Sequence, residues 1–164
     1  MATSIKGLAA VFGNVDLGGD VIHKGAFAAS IESVGNVPIY WEHEHGMGAS
    51  ETLPIGKTTA LFETLDGLGF EGFVSATSRG SDVLVLLSDG VVSETSIGFN
   101  VPEGAQEFDE NGIRHIFEID LMEISIVTWG MNPLTISELA SRGAPSLSSI
   151  FADELARLNK HLAR

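Results

Sequence analysis

Ile5, Leu8, Ala10 and Phe12 recur along Ser4 to Phe12 and predict a first strand with one buried face. A turn-rich stretch follows, Gly13-Asn14-Val15-Asp16-Leu17-Gly18-Gly19-Asp20, dense in residues that tolerate positive φ. The pattern then predicts a short helix over Ala26 to Val34, stopping near Gly35, and a strand from Val37 to Trp41. Pro54 to Glu63 and Leu68 to Ser75 read as a hairpin joined through Asp66-Gly67. Thr77 is placed to cap a helix running to about Ser88, with Val83, Leu84, Leu86 and Leu87 on its apolar side and Gly90 as its stop.

Glu94 to Asn100 reads as a strand that sets Ser96 among apolar neighbours, and Gly98 leaves bare backbone there for something to approach. Residues 102 to 112 form an acidic loop or hairpin tip closed by Asn111-Gly112. Ile113 to Glu118 and Leu121 to Thr128 are strand-like and can be read as one long bent strand, before Asn132-Pro133 breaks the pattern. Ser141 to Ser149 is linker-like. Beyond it Ile150, Phe151, Leu155, Leu158 and Leu162 draw one apolar stripe on a helix. The chain is therefore divided into a folded unit over residues 1–140 and a linker with an amphipathic helix over 141–164. No repeat is visible. The order of elements is mostly β with flanking helices (α+β), and its economical form is a partly closed antiparallel sheet or small antiparallel β-barrel with helices outside.

Composition narrows the function classes. A chain of 164 residues, 44% apolar, is most simply one domain with a substantial core. It has no cysteine, which excludes disulfides and thiolate metal sites and fits an intracellular origin. With 9 basic against 22 acidic residues the formal charge is −13, a field that repels phosphate backbones and anionic lipid surfaces. Neither nucleic acid nor membrane is expected as a partner. The apolar runs are too short to span a bilayer, and no charged-then-apolar signal segment opens the chain.

Three segments hold candidate chemistry. A serine hydroxyl is a poor nucleophile until a base takes its proton, and histidine suits that task near neutrality. A carboxylate then orients the imidazole and stabilises its charged form. His43, Ser96 and Glu123 could perform these roles in that order. Each also has an ordinary reading: a half-buried strand histidine, a serine satisfying a nearby carbonyl, and a glutamate on the polar face of an alternating strand. Glu123 is the hardest to treat so, because in Leu121-Met122-Glu123-Ile124-Ser125-Ile126-Val127 an inward carboxylate needs a partner. No Gly-x-Ser-x-Gly elbow exists, so a standard α/β-hydrolase is excluded. Glu42-His43-Glu44-His45 offers a rival, because a strand would put His43 and His45 on one face for a metal. The helical His-Glu-x-x-His spacing is missing, however. Asn14, Asp16 and Asp20 suggest calcium, but the later glutamate of an EF-hand loop is absent and a structural turn is the better reading.

Several segments resemble the tailed-phage prohead proteases. They are Phe12-Gly13-Asn14-Val15-Asp16 through Gly19-Asp20 with Gly25-Ala26-Phe27, then Trp41-Glu42-His43 and Pro54-Ile55-Gly56, then Ser96-Ile97-Gly98-Phe99 and Glu123-Ile124-Ser125-Ile126-Val127-Thr128. They occur in the family's order over about residues 5 to 135. The resemblance implies a capsid-maturation serine endopeptidase with a fold similar to the herpesvirus assemblins, a small β-barrel surrounded by helices. It implies no cofactor and no metal. Its expected substrates are scaffold, or the scaffold-like extension of the phage major capsid protein, and the protease itself, with a homo-oligomer possible. The expected place of action is the immature shell, or prohead, in the host cytoplasm. Matched by motif, His43 falls at the family's histidine, Ser96 at its nucleophile and Glu123 at an acidic position, although assemblins use a second histidine there. The alternatives are a metal-dependent hydrolase using His43 and His45, and a non-catalytic capsid assembly or scaffolding module.

Overall fold

The strand expected at the start of the chain is β1, Thr3–Val11. The computed structural model describes residues 1–44 and 53–140. His45, the linker from Ser141 and the amphipathic stripe from Ile150 lie outside the described residues. The expected hairpin forms from β4, Gly56–Glu63, and β5, Gly67–Val74. Its turn is tied by the Thr64 hydroxyl, which accepts the N–H groups of Asp66 and Gly67 at 3.1 and 3.0 Å. β1 lies antiparallel beside β5, with Gly7 opposite Phe70. A Cβ at Gly7 would sit 2.4 Å from the Phe70 ring, so only glycine lets that ring lie flat across the strand into the core.

The rest of the main sheet consists of β3, Pro38–Trp41, β6, Glu94–Asn100, β9, Asp120–Val127, and β10, Ile136–Leu139. The strand order is β10-β1-β5-β4-β3-β9-β6. β3 runs parallel to β9, whereas β6 runs antiparallel to it. Ile5, Phe27, Ile39, Leu68, Phe70 and Ile126 fill the concave side.

The sheet curls until β6 approaches β1 and β10, but no ladder joins them. Threonine side chains and an isolated backbone bond bridge the seam instead. The Thr95 hydroxyl donates to the Leu8 carbonyl at 2.9 Å. The Thr135 hydroxyl accepts the Thr95 N–H at 3.1 Å and lies 2.6 Å from the Thr95 carbonyl. The N–H of Ser137 reaches the Ser93 carbonyl at 2.6 Å. The expected small antiparallel β-barrel is thus corrected on two points: the barrel is a curled half-barrel without a closing ladder, and the sheet is mixed. A Val/Ile-rich strand such as β9, buried on both faces, suits either direction of pairing, so its residues do not choose one.

A second sheet has the order β2-β8-β7, from β2, Asp20–Ile22, β7, Gln106–Phe108, and β8, Arg114–Ile116. Arg114 forks onto Asp20, with Nε 2.8 Å from Oδ1, and this pairing raises the guanidinium pKa further above its ordinary value. The reading of residues 113–128 as one bent strand is therefore wrong. β8 and β9 belong to different sheets, and the chain crosses between them where the Ile119 N–H bonds to the Ala26 carbonyl at 2.9 Å. The turn before β2 is structural, as expected: Asp16 Oδ1 accepts the N–H groups of Gly18 and Asp20 at 2.8 and 2.9 Å.

α1, Ala28–Val34, starts two residues later than expected because the Glu63 carboxylate of β4 holds the N–H groups of Gly25 and Phe27 at 2.9 and 3.0 Å. Its buried Ser30 accepts the Leu121 N–H at 2.9 Å and so anchors the start of β9. α2, Ser78–Ser88, is capped by Thr77, which accepts from Gly80 at 3.0 Å. No helix among the described residues is long and apolar enough to cross a membrane.

Candidate active site

β6 and β9 bring Ser96 and Glu123 to one face. Their register sets Ser96 opposite Ser125 and Gly98 opposite Glu123. Side chains on a strand alternate between faces, so Ser96, Ser125 and Glu123 share a side, while Ile124 and Ile126 enter the core. Residues directly opposed in this way have Cβ atoms about 4.5–5.5 Å apart. Ser125 is 0% exposed and Glu123 1% exposed, whereas Ser96 is half-buried.

β3 delivers the histidine. It is held parallel to β9 with Tyr40 beside Ser125 and Trp41 beside Ile126. Beyond Trp41 the chain turns over β9 through two left-handed residues, Glu42 at φ 53° and His43 at φ 51°. For non-glycine residues that conformation costs about 1–2 kcal/mol each, and the surrounding bonds must offset it. The Glu42 N–H bonds to the Ile126 carbonyl at 3.0 Å. The Glu42 carboxylate accepts the N–H and the hydroxyl of Thr128 at 2.8 and 2.6 Å. The His43 N–H donates to Ser125 Oγ at 3.2 Å, and Glu44 pairs with Arg79 of α2.

The outcome is a contact of 2.6 Å between His43 Nδ1 and Glu123 Oε1. The second carboxylate oxygen, Oε2, accepts the Ser125 hydroxyl at 2.7 Å. A carboxylate this buried requires such partners. It favours the tautomer with the proton on Nδ1 and leaves Nε2 as an acceptor. The His43 side chain is 37% exposed, so that nitrogen belongs to a ring open to solvent on one side. The Ser96 hydroxyl makes no hydrogen bond to a described residue. Ser96 also lines a small cleft along the seam, with Ala9, Ala10, Ile22, Met131 and Asn132.

All three residues singled out in the sequence thus converge on one region of the sheet. His43 and Glu123 are in direct contact, and Ser96 shares their face. Sequence reasoning missed Ser125 and the reason for Gly98. The signal for Ser125 was present, since it lies two residues beyond Glu123 on the same strand. Gly98 needed the register: a Cβ there would lie 2.5 Å from Glu123 Oε1. The metal reading depends on His45, outside the described residues. Among those residues no group of three His, Asp or Glu side chains is arranged to hold a metal.

A buried acid behind a half-exposed imidazole, with a serine on the same face, has the parts of a serine hydrolase site. Residues 1–147 match the family model of the Caudovirus prohead serine protease, and the chain belongs to that family. It is 30% identical over 131 residues to the prohead protease of Enterobacteria phage HK97, covering 77% of this chain. The chain spans about half the length of that curated relative, 55%. Among solved structures it is similar to the KSHV protease in complex with a hexapeptide phosphonate inhibitor, with TM-score 0.56 and 14% identity over 99% of this chain and 77% of the other. It is also similar to the varicella-zoster virus protease, with TM-score 0.50 and 14% identity over 84% and 63%. At such identity the likeness concerns the fold, and the curled half-barrel is similar to that of the herpesvirus proteases.

Proposed function

We propose that this chain is a serine endopeptidase of phage capsid maturation, with Ser96 as nucleophile, His43 as general base and Glu123 as the carboxylate that orients it. The observation that carries the reading is the 2.6 Å contact from His43 Nδ1 to Glu123 Oε1, on the face Ser96 shares, in a chain of the prohead serine protease family. The proton on Nδ1 is held by Glu123, so Nε2 is the nitrogen that accepts the Ser96 proton. Ser96 Oγ attacks the scissile carbonyl, and the tetrahedral oxyanion collapses as the protonated imidazole gives its proton to the leaving amine. A water then repeats the sequence on the acyl-enzyme: His43 takes its proton, the hydroxide oxygen bonds to the acyl carbon, and Ser96 recovers its proton on release of the new carboxyl group. The Glu123 carboxylate offsets the charge that develops on the imidazolium.

The substrates are scaffold, or the scaffold-like extension of the major capsid protein, and the protease itself, cut within the prohead in the host cytoplasm. The test is coexpression with the capsid precursor, with and without Ser96→Ala, read by mass spectrometry of the products. Ser96→Ala is expected to leave the precursor uncut while the protein stays folded; undiminished processing would exclude the mechanism. Loss of cutting on adding a chelator would favour the metal-dependent alternative, and absence of any cleavage product with the unaltered chain would favour an assembly module.

A further inference from the structure

We propose that Ser125 is a positioning residue of this site, the clamp that sets both the Glu123 carboxylate and the His43 backbone. The proposal rests on the reading of the site given above and extends it by one residue. Ser125 Oγ makes two bonds at once: it donates to Glu123 Oε2 at 2.7 Å and accepts the His43 N–H at 3.2 Å. With the 2.6 Å contact between His43 Nδ1 and Glu123 Oε1, these bonds close a ring that grips His43 by its main chain and its imidazole together. Both halves of that grip are needed. His43 sits in a left-handed conformation that relaxes unless its N–H is held, and a carboxylate rotates about its terminal torsion unless both oxygens are engaged.

The residue opposite Glu123 is Gly98, which has no side chain to brace the carboxylate. Ser125 is also the wrong serine to attack a substrate, because it is 0% exposed and its hydroxyl donates to the orienting carboxylate and not to the imidazole. Two serines thus lie side by side on one face of β6 and β9 with divided tasks: the half-buried Ser96 reacts, and the buried Ser125 aligns the base.

The experiment uses the full chain and a fluorophosphonate, a general serine-directed reagent, and measures the maximal rate of labelling separately from the reagent's half-saturating concentration. Ser125→Ala is expected to lower the maximal rate roughly tenfold to a hundredfold, the range for a misplaced catalytic group, with half-saturation unchanged. Ser125→Thr, which keeps the hydroxyl, is expected to recover most of the rate. The far-downfield proton resonance of His43 Nδ1–H gives a readout that packing alone does not move. It should be lost in Glu123→Gln, shifted in Ser125→Ala and restored in Ser125→Thr. A folded Ser125→Ala that labels at the unaltered rate with an unshifted resonance overturns the proposal, as does equal loss in the alanine and threonine variants. If Ser125→Ala does not fold, Ser125→Cys, close in volume but a weak donor, takes its place with the same expectations. Labelling that persists in Ser96→Ala overturns the underlying reading instead, so the two failures are distinct.

Discussion

Gly98 lies against the carboxylate of Glu123, so close that a Cβ there would be 2.5 Å from Oε1 and 2.9 Å from Cγ. The obstructing atoms belong to a side chain, but not to a free one, since both Glu123 oxygens are already bonded. Gly98→Ala therefore pushes the carboxylate away from His43 instead of being absorbed by it. Overpacking of this kind costs about 1–3 kcal/mol, and a base displaced by half an ångström or more loses much of its efficiency. The expected outcome is a folded protein with a lowered melting temperature and at least about tenfold slower precursor cleavage, measured by thermal unfolding and by a timed digest.

The roles proposed for His43 and Glu123 predict unequal losses. His43→Ala removes the only group in the scheme that accepts the Ser96 proton, and is expected to be as inactive as Ser96→Ala. Glu123→Gln keeps the shape of the side chain but turns one acceptor into a donor, so one of its two hydrogen bonds must reverse, which sets His43 in the wrong tautomer or turns the Ser125 hydroxyl. Cleavage should fall by on the order of 10³- to 10⁴-fold yet stay measurable, as for an orienting carboxylate replaced by its amide. Single-turnover rates of the two variants check the order. A Glu123→Gln protein as fast as the unaltered one would remove Glu123 from the scheme.

The seam of the half-barrel predicts a stability effect that reaches the site. Thr135 Oγ1 accepts the Thr95 N–H at 3.1 Å and also touches the Thr95 carbonyl at 2.6 Å, one residue before Ser96. Thr135→Val keeps the shape and strands both backbone groups in a buried place, at about 1–3 kcal/mol for each group left unsatisfied. The melting temperature should drop clearly. Hydrogen exchange should quicken at Thr95 and Ser96 ahead of β4, the strand in the middle of the sheet order.

A pH effect is expected at the small sheet. The Asp109 carboxyl is held below its ordinary value of 3.8, chiefly by the Ile113 N–H and then by Asn111 and the nearby His115. A depressed carboxylate contributes its stabilisation above its unfolded pKa and loses it as pH falls through the folded value. The turn between β7 and β8 should therefore be unaffected by titration of Asp109 from neutrality down to about pH 4 and loosen below it. Asp109→Asn should abolish that acid response, which is followed by the amide resonances of Asn111 and Ile113.

Much of this protein was legible in its residues. The apolar periods marked β1, β3, the β4–β5 hairpin and β6, and Thr77 and Gly90 bounded α2, because such signals act within a few residues. The motif order also picked out His43, Ser96 and Glu123. The short strands β2, β7 and β10 escaped notice, since three or four residues hold too little pattern and form only where a distant partner supplies hydrogen bonds. Residues 113–128 looked continuous because periodicity does not record which sheet a strand joins. What the tertiary structure alone decided is the meeting of segments about eighty residues apart: the parallel alignment of β3 on β9, the left-handed turn at His43, and the register that sets Gly98 against Glu123. Alternation assigns a residue to a face. The neighbour on that face is chosen by pairing and curl, which depend on the whole sheet closing over its core.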